Sequence, residues 1–175
     1  MTATLSELLG RERPAAAALA VFALAAATLL GAWYFQYVLK LPPCPLCLEE
    51  RLPYVVVIPL SMLMVIAALV RAPAKLLTVG FAAIIVAVLC GAALGTYHAG
   101  VEWHWWAGPT DCTGTLTDLK ANGPLINQLN SFNVVRCDDT GWRFLGLSLA
   151  GYNALISLAM AAIAAIGLWA QKAAA

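Results

Sequence analysis

Four long apolar stretches constrain this chain more than any other feature. They run over about residues 15–39, 52–70, 76–97 and 144–170. Each can cross the roughly 30 Å of a bilayer's hydrocarbon, which takes about 20 helical residues. Composition agrees: 62% of the chain is hydrophobic and only 11% is charged, whereas soluble domains are about half apolar and a quarter charged. The 175 residues suit one domain over 1–175. A net charge of +1 argues against a nucleic-acid partner, which calls for a basic patch or stripe. The expected fold class is an all-α membrane protein, a four-transmembrane-helix bundle.

Local signals refine the spans. The first is longer than the h-region of a signal peptide, about 7–15 residues, and is read as retained. Pro14 follows Arg11 and Arg13 and suits a first helical position. Pro53 and Pro59 fall inside the second span and predict a kink, because proline removes a helix hydrogen bond.

Four spans put both termini and the short 71–75 turn on one face, with loops 40–51 and 98–143 on the other. Basic residues are equally numerous on the two faces. Arg11, Arg13, Arg71, Lys75 and Lys172 nevertheless lie in short segments close to span ends, where the positive-inside rule acts best. The termini are therefore expected in the cytoplasm and the two loops in the periplasm.

That orientation places Cys44, Cys47, Cys112 and Cys137 on the side where disulfides persist. Cys90 lies within the third span and reads as a small apolar packing residue. Three readings compete for the outer four. Zinc would call for a second closely spaced cysteine pair, which Cys112 and Cys137 do not supply, so no metal is expected. Structural disulfides are the main alternative. The tight spacing of Cys44-Pro45-Leu46-Cys47 favours thiol–disulfide exchange, because small rings belong to redox motifs rather than scaffolds.

The prolines at 42, 43 and 45 break the chain, so the second helix should begin near Pro45 or Leu46. Cys47 then falls in its first turn, where the helix dipole favours a thiolate. Arg51 follows one turn later and offers a permanent cation and planar donors to a carbonyl oxygen. The alternative for Arg51 is an interfacial anchor paired with Glu49 or Glu50. The sequence carries no haem, flavin or iron–sulfur motif. At the edge of the hydrocarbon, the electron acceptor that can reach the pair is a lipid-soluble quinone.

The run Gln36-Tyr37-Val38-Leu39, the segment Pro43-Cys44-Pro45-Leu46-Cys47-Leu48-Glu49-Glu50-Arg51, the loop cysteines, and Trp142-Arg143-Phe144-Leu145-Gly146-Leu147-Ser148 together resemble the bacterial disulfide bond formation protein B (DsbB) family. The resemblance spans essentially the whole chain. It implies a protein-disulfide:quinone oxidoreductase that works with a periplasmic DsbA-like oxidase and a ubiquinone or menaquinone pool. It also implies that Cys112 is attacked by the reduced oxidase, with Cys137 as its partner. Electrons would pass to Cys44 and Cys47, the Cys47 thiolate facing the quinone and Arg51 binding it. His98 matches the family's quinone-proximal histidine, with His104 a rival and a helix-capping role the alternative. A relative of the vitamin K epoxide reductases would share four helices and a Cys-x2-Cys pair, but with that pair on a late span.

Potentials constrain the loop disulfide. Structural disulfides lie below about −300 mV and DsbA near −120 mV, a gap of roughly 8 kcal/mol. The loop disulfide must therefore be strained, exposed or driven by quinone reduction. Gly108, Pro109, Gly114, Gly123 and Pro124 predict an irregular loop. Trp103, Trp105 and Trp106 suit the headgroup level. Leu116, Leu119, Leu125, Ile126 and Leu129 read as a segment lying on the bilayer, with a docking groove the alternative.

Overall fold

The computed structural model describes residues 5–109, 136–138 and 141–173, with side chains from Glu12 to Lys172. Cys112 and the apolar loop positions from Leu116 to Leu129 lie outside the described residues.

The chain forms α1 (Leu5–Tyr37), a short α2 (Pro45–Glu49), α3 (Leu52–Leu69), α4 (Ala74–Glu102), β1 (Arg143–Phe144), β2 (Leu147–Ser148) and α5 (Leu149–Ala173). Four segments are long and apolar enough to span a membrane: Glu12–Tyr37, Pro45–Leu69, Ala74–Glu102 and Leu149–Lys172. This is the four-helix membrane bundle the hydropathy predicts. Its outer surface is apolar, with Leu63, Leu69, Val79, Ile166 and Trp169 exposed, as a lipid-facing surface requires.

Several boundaries differ from the sequence reading. Helix α1 begins well before Pro14, which therefore lies inside the helix. The second span keeps its expected place, with Pro53 in the first turn of α3 and Pro59 inside it. Helix α4 runs five residues past 97, to Glu102. The last helix starts at Leu149 rather than near Phe144, because β1 and β2 first form an antiparallel hairpin pairing Arg143 with Ser148 and Phe144 with Leu147. Its two-residue turn places Leu145 at φ 50° and Gly146 at φ 83°, as a type I′ turn requires. The Ser148 hydroxyl then accepts the Gly151 N–H at 3.2 Å and caps α5.

The α3–α4 turn closes with Arg71 in the left-handed region at φ 64°, and Ala72 N–H bonds back to the Ala67 carbonyl at 2.9 Å, the Schellman pattern. The same pattern ends α4: His104 has φ 59°, and Trp105 N–H reaches the Gly100 carbonyl at 2.9 Å. Beyond it Trp103, Trp105 and Trp106 are all exposed, with Trp106 stacked on Tyr97 at 6.0 Å.

The main core occupies the middle of the bundle and the end carrying the 71–75 turn. Phe81, Ile84, Val88, Val21, Val57 and Met160 are almost fully buried there. Without a hydrophobic difference between lipid and protein, packing of this kind relies on close approach at small residues. Helices α4 and α5 make the most extensive contact in the bundle. At Gly95 an added Cβ would stand 2.9 Å from Ala154 N and 3.0 Å from Ala150 O, so only glycine admits the α5 backbone. Cys90 departs from the expected packing role: its side chain is exposed on the outer face of α4.

Candidate active site

The end of the bundle carrying the longer connections is built differently. Pro42, Pro43 and Pro45 interrupt the chain between α1 and α2, and Pro45 supplies the first residue of α2. Cys44 is therefore the residue that caps this helix: its sulfur accepts the Cys47 backbone N–H at 3.2 Å. Cys47 occupies the first turn, as the sequence implies, yet the sulfur that receives the helix's free N–H is that of Cys44.

Cys44 and Cys47 are both free thiols. Their sulfurs lie 2.8 Å apart, within about 0.8 Å of the ~2.05 Å bond of a disulfide. The contact with Cys47 holds the Cys44 thiol below its usual range, against the opposing effect of burial and with help from the Cys47 backbone N–H. Cys137 is disulfide-bonded and 1% exposed, and it is buried in one cluster with Cys44, Leu46 and Val101, with Cys47 packed alongside. The structure thus brings three of the four outer cysteines together, while the fourth, Cys112, lies outside the described residues.

His98 lies a full turn inside the end of α4 and is 3% exposed. Its Nε2 is 3.6 Å from Cys44 Sγ, and its Nδ1 is 2.7 Å from Glu50 Oε1. This is no C-terminal cap; the imidazole bridges a thiol and a carboxylate. His104, by contrast, is an exposed turn residue that ends the helix. Glu50 is 8% exposed, and its second oxygen accepts Asn153 Nδ2 at 2.9 Å. Asn153 Oδ1 in turn accepts the Tyr54 hydroxyl, which also meets Ser157 Oγ at 3.2 Å. Glu102 places Oε1 3.9 Å from His98 Nε2.

Glu50 and Arg51 meet at the α2–α3 junction on helical backbone, where adjacent side chains point different ways. Arg51 pairs with neither Glu49 nor Glu50 among the described residues; its guanidinium donates to Gln36 Oε1 on α1 at 2.6 Å. Arg51 Nε is buried with no hydrogen-bond partner, as is Glu102 Oε2. Buried charged side chains without full hydrogen bonding are costly, so these atoms mark a place where a ligand's polar groups belong.

That place is a cavity of about 650 Å³, lined by Cys44, Cys47, Arg51, His98, Phe35 and Trp142 among others. The volume falls in the range of about 300–1,000 Å³ typical of small-molecule sites. Trp142 contributes an aromatic wall, stacked on Phe144 at 6.0 Å and set 5.1 Å from Phe35. A planar apolar ring carrying carbonyl oxygens fits this lining: aromatic faces for the ring and the free Arg51 N–H for an oxygen. A quinone meets that description.

The donor atoms of Cys44, Cys47 and His98 all lie within 4.8 Å of one another, a spacing that invites comparison with a metal centre. Two thiolates on one tetrahedral zinc, at about 2.3 Å each, stand roughly 3.7 Å apart. The sulfurs here are 2.8 Å apart, closer than two zinc ligands stand.

Sequence reasoning did not single out Glu50, Glu102, Asn153, Tyr54 or Gln36 as site residues. The signal available was their polarity: ionisable and amide side chains inside apolar spans are costly and commonly mark functional pathways.

No solved structure matches the chain. Curated relatives do. The chain is 30% identical over 154 residues to disulfide bond formation protein B of Methylococcus capsulatus, an alignment covering 85% of this chain and 90% of the relative. It is 31% identical over 157 residues to the protein of the same name from Hahella chejuensis, covering 85% and 90%. With that from Aromatoleum aromaticum it shares 29% over 158 residues, covering 88% and 91%. The family model described as disulfide bond formation protein DsbB matches residues 14–167, and on that match the chain belongs to the DsbB family.

Proposed function

We propose that this chain is an inner-membrane oxidoreductase that reoxidises a periplasmic thioredoxin-like oxidase of the DsbA type and passes the electrons to a membrane quinone. Disulfide bond formation is the general activity that family membership brings. One observation supports the finer reading most. A disulfide-bonded cysteine and the free thiol of Cys44 are buried in one cluster with Cys47 packed against it, and the thiol pair lines an apolar cavity. That is the arrangement a relay needs, with a disulfide that can be exchanged next to dithiols that can be oxidised.

In this reading Cys112 receives the reduced oxidase and Cys137 is its partner. Exchange between the Cys137 end and the Cys44–Cys47 pair carries the electrons inward, by thiolate attack on a disulfide sulfur. A quinone, when bound, would supply a two-electron, two-proton acceptor for the pair. Arg51 would hold a carbonyl oxygen, with Gln36 fixing the guanidinium and Phe35 and Trp142 excluding water from the ring. The orientation follows the density of basic residues near span ends, with the termini cytoplasmic and both loops periplasmic.

The test supplies reduced periplasmic oxidase with a short-chain ubiquinone, or in a parallel arm a menaquinone, to the purified protein. Quinone reduction that is lost in Cys112→Ala supports the relay; full activity in that variant overturns it. Arg51→Ala should raise the quinone KM by roughly tenfold or more, the equivalent of losing one charge-assisted hydrogen bond. An unchanged KM returns Arg51 to an anchoring role.

A further inference from the structure

We propose that Cys44, His98 and Glu50 form a thiol–imidazole–carboxylate triad in which His98 takes the Cys44 proton, with Asn153 fixing the tautomer that makes this possible. The proposal deepens the relay reading and depends on it only for the oxidant.

The direction of each hydrogen bond carries the inference. The Tyr54 hydroxyl donates to Asn153 Oδ1, so the Asn153 amide must present Nδ2 to Glu50, which it does at 2.9 Å. An ionised carboxylate only accepts. With Asn153 donating to Oε2, the remaining oxygen, Oε1, accepts Nδ1–H of His98 at 2.7 Å. The ring's proton is then on Nδ1, and Nε2 presents a lone pair to Cys44 Sγ at 3.6 Å. Nucleophile, base and orienting acid thus stand in the order that activates a thiol or hydroxyl elsewhere. His98 touches the reacting sulfur and is a catalytic residue; Glu50 and Asn153 act through it and are positioning residues.

The charged and titratable groups around the ring are consistent with this role. Glu102, on the same helix, adds a carboxylate 3.9 Å from Nε2. Cys47 lies beside Cys44 on α2. Arg51 and Arg136 line the same cavity; Arg51 bonds Gln36 and Arg136 pairs with Asp138.

The step balances. The Cys44 thiol gives its proton to His98 Nε2, and the electron pair left on sulfur forms the bond to Cys47. Two electrons and the Cys47 proton pass to the quinone, and the imidazolium returns the second proton. Two thiols and a quinone become one disulfide and one quinol.

Glu50→Gln is the informative variant. Because Asn153 Nδ2 demands an acceptor, the new amide keeps its oxygen there and turns its NH2 toward His98 Nδ1. The ring must then carry its proton on Nε2 and can no longer accept from the thiol. In the reduced, quinone-free, full-length protein in nanodiscs, iodoacetamide labelling of Cys44 is followed by peptide mass spectrometry from pH 5.5 to 9.5. Glu50→Gln and His98→Asn should each move the Cys44 midpoint upward by about one pH unit or more, equivalent to tenfold less thiolate below the midpoint. Glu50→Asp should restore part of the shift, and 15N shifts of His98 should report Nδ1–H in the native protein and Nε2–H in Glu50→Gln. An unmoved Cys44 midpoint in both variants, or a native Nε2–H tautomer, overturns the triad. If the midpoint shifts but the native protein reduces no quinone, the relay fails and the base assignment stands.

Discussion

The two ends of this bundle share the same four helices and follow different rules. Toward the 71–75 turn, Phe81, Ile84, Val21 and Met160 fill the interior, and the buried polar side chains there, Ser61 and Gln171, bond the Ile58 and Ala74 carbonyls. Toward the longer connections, a buried line of hydrogen bonds runs from Cys44 through His98, Glu50 and Asn153 to Tyr54, beside a cavity. Lipid tails are as apolar as leucine, so the first end gains only packing from burial. The second end carries groups that are costly to hold in hydrocarbon. The apolar core and the proposed reaction site thus lie at different positions along the bundle axis.

The largest contrast is between a substitution at each end. Cys44→Ala should abolish quinone reduction while leaving thermal unfolding of the solubilised protein nearly unchanged. Phe81→Ala should do the reverse: turnover per folded molecule persists, and steric-trap unfolding reports a loss of about 1–3 kcal/mol. That is less than the 3–5 kcal/mol of a water-soluble core, because the displaced surface meets lipid rather than water. A Phe81 variant with normal stability and no turnover would break the separation.

Gly95 sharpens the comparison because it lies between the two ends. A side chain there meets Ala154 N, Ala150 O and Asn153 Nδ2 at 2.9–3.0 Å. Gly95→Val should cost about 2 kcal/mol through overpacking and also slow turnover, since it displaces Asn153. Loss of stability alone would mean that the polar line tolerates movement of α5.

The smallest effect should come from the exposed Arg136–Asp138 pair, bonded at 2.9 and 2.5 Å. The Arg136 guanidinium holds the Asp138 carboxyl below its usual range. A depressed carboxyl contributes its stability above the ordinary aspartate range and loses it as pH falls through the lowered value. For so exposed a pair, Asp138→Asn should change stability by less than about 0.5 kcal/mol at pH 7. A larger loss would show that residues near the cavity are coupled beyond their own contacts.

The four spans and the cysteine pair were legible because hydropathy and spacing are local. Placing Cys47 in the first turn of a helix starting at Pro45 followed from proline chemistry alone. What spacing could not give was which sulfur the helix end would face: Cys44, one residue outside the helix, captures the Cys47 N–H. His98 was legible as a residue near the site, but its tautomer depends on Glu50 and Asn153, 48 and 55 positions away in sequence. The exposure of Cys90 was hidden for a related reason. An apolar stretch shows that a residue lies in the membrane and is silent on whether it faces a helix or lipid.

The junction between α2 and α3 has one more effect. Glu50 and Arg51 are adjacent opposite charges on helical backbone, and adjacent helical positions do not face each other. The carboxylate goes to His98 and the guanidinium to Gln36, so neither quenches the other. The cavity is thereby left polarised, negative toward the thiols and positive toward α1. Electron pairs leaving sulfur for an acceptor held at Arg51 would travel down that gradient, and protons bound for the imidazole would travel the opposite way.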